Sequence, residues 1–220
     1  MKERHWTSLV TSLRHGQSVL VVGPEIPVKS VSAGQPDATE STTYIEALTL
    51  ELASELEEDN RRVTGHTLAA VAQQYEDAEG FGPNALRALA EKFYKSRTYG
   101  TSEVHRALAA LPFGLILTTC HDDLLARALV EAGKRPIIQR YHLRGDKRDN
   151  SEFVLPGFPD TPVIYHLFGN AQEPASLVLG ENDLLDFLVA IVSERPPPSE
   201  QPHTSAQARR PELLVHRLRH

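Results

Sequence analysis

Between residues 117 and 125 the chain reads Leu-Thr-Thr-Cys-His-Asp-Asp-Leu-Leu, its densest run of side chains that can move a proton or attack carbon. A thiol beside an imidazole, Cys120 next to His121, has the composition of a nucleophile and its base. Neighbours on a strand point to opposite faces, however, and at a turn their relative geometry is open. The plainer reading makes Cys120 a small half-buried residue lining a site. Asp122 and Asp123 also carry two readings. They are ligand contacts, or they are the N-cap and first-turn charges of the helix that follows. His166 stands near the end of a second apolar run, Val163–Gly169. A third run, Val21–Pro27, puts Gly23 directly after a strand, where a glycine lets a ligand phosphate approach the backbone. Pro24 there lacks an N–H, and Glu25 places a carboxylate where an anion would sit.

These residues need elements to hold them. Gly114–Leu117 is a short apolar strand, Thr118–Thr119–Cys120 a polar corner, and Leu124–Ala132 an amphipathic helix that stops at Gly133. Strand, corner and carboxylate-opened helix form the repeating unit of an α/β sheet, in which ligands bind at the carboxyl ends of the strands. Ser18–Val22, Pro136–Tyr141 and Thr161–Leu167 read as further strands, and Ser176–Leu179 as a short one joining an edge. Helical spacing appears at Trp6–Leu13, with its stripe on the sheet, and at Tyr44–Leu56, Thr67–Tyr75 and Ser102–Ala110. It appears again after a cap at Asn84, and at Glu181–Val192 with Leu184, Leu185, Leu188 and Val192 inward. Val28–Thr43 and Tyr94–Thr101 read as loop and polar link. The fold class is therefore α/β: a Rossmann-like three-layer domain with a mainly parallel sheet and a helical insertion at about 30–110.

Three segments in order, Val21–Pro27 (VVGPEIP), Leu117–Leu125 (LTTCHDDLL) and Val163–Gly169 (VIYHLFG) followed by Ser176–Leu188, together resemble the SIR2-like domains of bacterial defence proteins. These are relatives of sirtuins that lack the sirtuin zinc module and typically hydrolyse NAD. The resemblance spans Leu13 to Val192. It implies a nucleotide site of NAD or ADP-ribose type built from Gly23, Pro24, Glu25, Ile26, Thr119, Cys120, Asp122, Phe168 and Gly169. If the chain is active, it implies Cys120, Asp122 and His166 as the catalytic group. Gly23, Ile26, Asp122, Leu167 and Gly169 match the family pattern. Cys120 stands where the family has asparagine, Phe168 where it has its histidine, and His166 where it has lysine. Phenylalanine cannot exchange a proton, and a thiol cannot replace the paired donor and acceptor of an amide. The resemblance thus implies a degenerate binding or assembly module. The alternatives are an active NAD glycohydrolase with variant residues and a pure protein–protein scaffold.

Composition limits the other classes. The chain has 220 residues and a formal net charge of -6, which argues against general nucleic-acid binding. Its single cysteine excludes a disulfide framework and a multi-cysteine zinc site. The ten histidines are scattered, and no metal is expected. His105 reads as a packing residue. Arg144, Lys147 and Arg148 read as solvated surface or as a phosphate clamp. No run has the length of a membrane span, and no secretory signal is evident, so a cytoplasmic location is expected. Residues 1–193 read as the domain and 194–210 as a proline-marked linker. Residues 211–220 read as the start of a following domain or tail. The expected partners are other domains of a longer protein and further copies of the chain.

Overall fold

The computed structural model describes residues 3–16, 18–30, 41–97, 99–144 and 158–192. Four short strands, β1 (Val19–Val22), β5 (Leu115–Thr118), β7 (Val163–His166) and β6 (Ile137–Arg140), form a sheet in that order, and every pairing is parallel. The register sets Val22 beside Thr118, Thr118 beside His166 and His166 beside Arg140. All four carboxyl ends therefore finish level. The corners after β1, β5 and β7 emerge together, which is the requirement for a strand-end site. Helices lie on both sides of the sheet, so the fold is α/β and Rossmann-like, as the strand–corner–helix pattern predicts.

Two cores hold this arrangement. On one face of the sheet, Val22, Ile116 and Ile164 pack against Ala109 of α5 (Glu103–Ala110) and against Leu125, Ala128 and Leu129 of α6 (Leu124–Glu131). Leu13 of α1 (Glu3–Arg14) joins the same cluster. The second core is helical. It joins α2 (Tyr44–Glu58), α3 (Leu68–Asp77) and α4 (Pro83–Ser96) through Leu48, Leu52, Leu56, Val71, Tyr75, Leu86 and Phe93. Each of the fully buried leucines contributes about 1.5–3 kcal/mol. Leu124, Leu177 and Leu179 also belong to this core, so the helical layer is packed directly against the strand-end corners. Helix α2 starts at a capping box: Glu46 N–H donates to Thr43 Oγ1 at 3.1 Å, and Thr43 N–H donates to Glu46 Oε2 at 2.9 Å.

Several sequence expectations are corrected. Val28–Thr43 and Tyr94–Thr101 are not simply loop and link. β2 (Val28–Ser30) pairs antiparallel with β3 (Ser41–Thr42) and β4 (Tyr99–Gly100) in a small second sheet. Strands of two or three residues leave too little alternation to detect. Ser176–Leu179 forms no strand: Pro174–Ser176 is a 3₁₀ turn, and the Leu177 carbonyl and Leu179 N–H are taken by Arg144 and Asp183. Helix α4 starts at Pro83 after Gly82, so Asn84 lies inside it. In α7 (Glu181–Val192) the buried residues are Asp183 and Phe187, while Leu185, Leu188 and Val192 are exposed. Trp6 and Val10 of α1 are exposed as well. The expected linker at 194–210, the segment 211–220 and the pair Lys147 and Arg148 lie outside the described residues.

Candidate functional site

Sheet order brings three corners to one place. Beyond the strand ends the ladder runs on for one more residue: Thr119 N–H donates to the Val22 carbonyl (3.1 Å), and Leu167 N–H to the Thr118 carbonyl (2.7 Å). A hollow of about 200 Å³ opens between these corners and the helical layer. Pro24, Thr119, His121 and Phe168 line it from the strand ends; Ile45 and residues 67–69 line it from α2 and α3. Val178, Leu179 and Gly180 close a further side, with Leu184 of α7. No charged side chain lines it among the described residues.

A larger cavity of about 590 Å³ runs along α6 and β6 and includes Asp123, Arg127, Lys134, His166 and Asn170. None of Gly23–Ile26, Thr119, Cys120 or Phe168 lines it. The smaller hollow is therefore the one at which the three corners meet.

Of the expected binding residues, Pro24, Thr119 and Phe168 line the hollow. Gly23 is exposed beside it, and its carbonyl accepts the Cys120 thiol at 3.1 Å. Glu25 is exposed, and Ile26 packs into the sheet core. The Asp122 carboxylate accepts the Leu124 N–H at 2.9 Å, capping α6 from one residue outside the formal N-cap. Gly169 has φ +79°, and a Cβ there would lie 2.1 Å from the Ser176 carbonyl oxygen. It is a hinge of the wall rather than part of its surface. The ring of Phe168 meets Phe187 edge-on, with centroids 5.2 Å apart.

The three expected catalytic residues lie close together but do not form a relay. His166 is buried, and both ring nitrogens are engaged. Its Nδ1–H donates to the Cys120 carbonyl at 2.8 Å, and the Asn170 amide donates to its Nε2 at 3.2 Å. A carbonyl can only accept, so this pattern fixes the neutral Nδ1–H tautomer. Burial lowers the pKa of His166 further. The Cys120 thiol points to Gly23 rather than to an imidazole, and burial with Asp122 nearby pushes it up to about 12. A thiolate nucleophile is therefore disfavoured. Burial raises Asp122 to about 6, against the opposing Leu124 hydrogen bond.

His121 is the site residue that sequence reasoning undervalued. It is buried, its Nδ1 lies 3.1 Å from the Tyr94 hydroxyl, and among the described residues its Nε2 makes no hydrogen bond of good geometry. An unpaired buried polar group costs about 1–3 kcal/mol. Burial, with His166 adding to it, lowers His121 to about 4; the Val178 backbone pulls weakly the other way. Nothing in the sequence marks a nitrogen as unpaired, because its environment is made by segments far away in the chain.

His105 is the packing residue expected: it accepts the Ser102 N–H at 3.2 Å and completes the cap of α5. Arg144 is not solvated surface. It pairs with the buried Asp183 and donates to the Leu177 carbonyl at 3.1 Å, tying down the wall segment 177–180. Among the described residues no group of three metal-ligating side chains occurs. His216 and His220, four apart in sequence, lie outside them.

Residues 114–215 match the family model of a SIR2-like domain. The match takes in β5, α6, β6, β7 and α7, and with them the second and third corners of the hollow. It supports the SIR2-like family and, at family level, NAD-related binding or catalysis. No curated protein matches the chain.

Proposed function

We propose that this chain is a SIR2-like nucleotide-binding domain in which sirtuin-type cleavage of NAD is lost or much reduced. It works as a binding or assembly module of a larger cytoplasmic, defence-related protein. The observation that carries this reading is Phe168. It stands at the family's histidine position and turns an inert ring into the hollow, packed against Phe187. His166, the nearest substitute, has both nitrogens occupied. A histidine so bound can neither take nor deliver a proton without breaking a hydrogen bond. The exposed Leu185, Leu188 and Ile191 of α7 suit contact with other domains or further copies of the chain.

The residues present fit a dinucleotide in part. The hollow is uncharged and has room for one ring, while its rim offers Gly23 for close approach and Glu25 against a phosphate. Weak binding of NAD or ADP-ribose follows. Calorimetry with both ligands is expected to give millimolar affinity, and nicotinamide release by the intact protein is expected at background rate. Heat from neither ligand would remove the binding half of the reading.

One observation favours an active NAD glycohydrolase instead. Asp122, raised to about 6, is a carboxyl that exchanges its proton near neutral pH. On that reading Asp122→Asn abolishes a measurable nicotinamide release. On the reading preferred here there is no such release to abolish.

A further inference from the structure

Helix α7 turns most of its apolar residues away from the core. Its buried residues are Asp183 and Phe187. On another side Leu185, Leu188 and Val192 recur at i, i+3 and i+7, with Ile191 beside them. All four are between 48% and 78% exposed. A single exposed leucine is ordinary, but four such residues on one helix make a contact face. The charge of this helix has one sign: it carries Glu181, Asp183 and Asp186 and no cation. Amphipathic helices that lie on lipid flank their apolar face with Lys and Arg, so a membrane surface does not suit α7. An apolar segment with basic flanks does.

The chain carries such a segment beyond the described residues. The SIR2-like match runs past Val192, where α7 ends, to Val215, so residues 193–215 lie inside the matched region. After the proline-marked stretch the sequence reads Pro211-Glu212-Leu213-Leu214-Val215-His216-Arg217-Leu218-Arg219. Proline followed by glutamate is a helix-opening pair, and on helical spacing Leu214, Val215 and Leu218 share a face. Arg209, Arg210, Arg217 and Arg219 stand against Glu212 alone. So short a helix does not hold in water without a surface to pack on. The connector 193–210 reaches up to about 60 Å when extended, whereas α7 is about 18 Å long. Tethering keeps the segment at roughly millimolar effective concentration, which a free partner or a second copy must exceed.

We propose that residues 211–219 dock on the exposed face of α7. Leu214, Val215 and Leu218 cover Leu185, Leu188 and Val192, and the arginines lie beside Glu181 and Asp186. Asp183 takes no part, because Arg144 holds it. This narrows the assembly reading above to one contact and rests on it for α7 as a contact face. The occupant is the chain's own continuation.

Amide hydrogen exchange on the full chain tests the contact. In the native protein residues 212–219 are expected to exchange at least about tenfold more slowly than a random coil. The protection is expected to be equal at about 10 and about 200 μM chain, as an intramolecular contact requires. Leu188→Glu sets a carboxylate in the middle of the face and is expected to remove most of the protection. Leu214→Glu is expected to do the same from the other side of the contact. It lies outside both cores, so it decides the matter if Leu188→Glu fails to fold. Random-coil exchange of 212–219 in the native chain, or protection untouched by the folded variants, would overturn the proposal. Light scattering separates the occupants. A native dimer that Leu188→Glu splits, with protection that rises with concentration, gives the face to a second copy; that overturns the docking and keeps the assembly reading. A monomer at every concentration with 212–219 unprotected sinks the assembly role of α7 as well.

Discussion

The Gly169 backbone turns at φ +79° with the Ser176 carbonyl so close that no Cβ fits. Both features make one demand, since a left-handed turn and a bare α-carbon are needed at the same residue. Gly169→Ala is expected to lose at least ~3 kcal/mol, from backbone strain and from displacement of the 3₁₀ turn behind the hollow. Urea unfolding checks the value. The sequence flags Gly169 through its place at a strand end. At Cys120 and His121 it gave the chemistry without the orientation. Which way a thiol points depends on a carbonyl 97 residues earlier, and no local pattern encodes that.

At the scale of elements, the wall of the hollow is held by one ion pair. Arg144 follows β6, Asp183 opens α7, and between them they engage Leu177 and Leu179. Asp183→Ala leaves the Leu179 N–H unpaired and takes from the half-buried Arg144 its ion-pair partner, and is expected to cost about 2 kcal/mol. Asp183→Asn keeps an acceptor and is expected to lose about half as much. Denaturant midpoints rank the two. The pair also explains why α7 does not turn its apolar stripe inward. Its apolar spacing favours Leu185 and Leu188 inward, but Asp183 has a cationic partner 39 residues upstream and Phe187 meets Phe168 and Tyr141 edge-on. The main strands and α2, α3 and α6 were legible because four or more residues of clear periodicity define each of them. The three-stranded second sheet was not, since tertiary pairing and not propensity makes it.

At the scale of the whole molecule, three buried histidines among the described residues shape the response to acid. His105 and His121 are lowered to about 4 and His166 is lowered too, each mainly by burial. Between pH 6.5 and 4 the unfolded chain protonates the counterparts of His105 and His121 and the folded one does not, with His166 adding in the same direction. Stability held above pH 6.5 is therefore lost as pH falls through that window, on the order of 3 kcal/mol for a histidine shifted to about 4. Asp122 acts in the opposite sense. Its folded value near 6 means that stability present below pH 4 is lost as pH rises through 6, which offsets part of the effect. The melting temperature is expected to fall steadily from pH 7 to pH 4, and His105→Gln is expected to flatten the curve.

The bonds that fix His166 between the Cys120 carbonyl and Asn170 join uncharged groups, whereas the wall segment 177–180 hangs on a guanidinium and a carboxylate. Dissolved ions therefore act on the strand-end corners and on the wall of the hollow unequally. Brine loosens the Arg144 side first and leaves the histidine strut in place, so ligand escape should quicken with ionic strength while the corners beside it keep their shape.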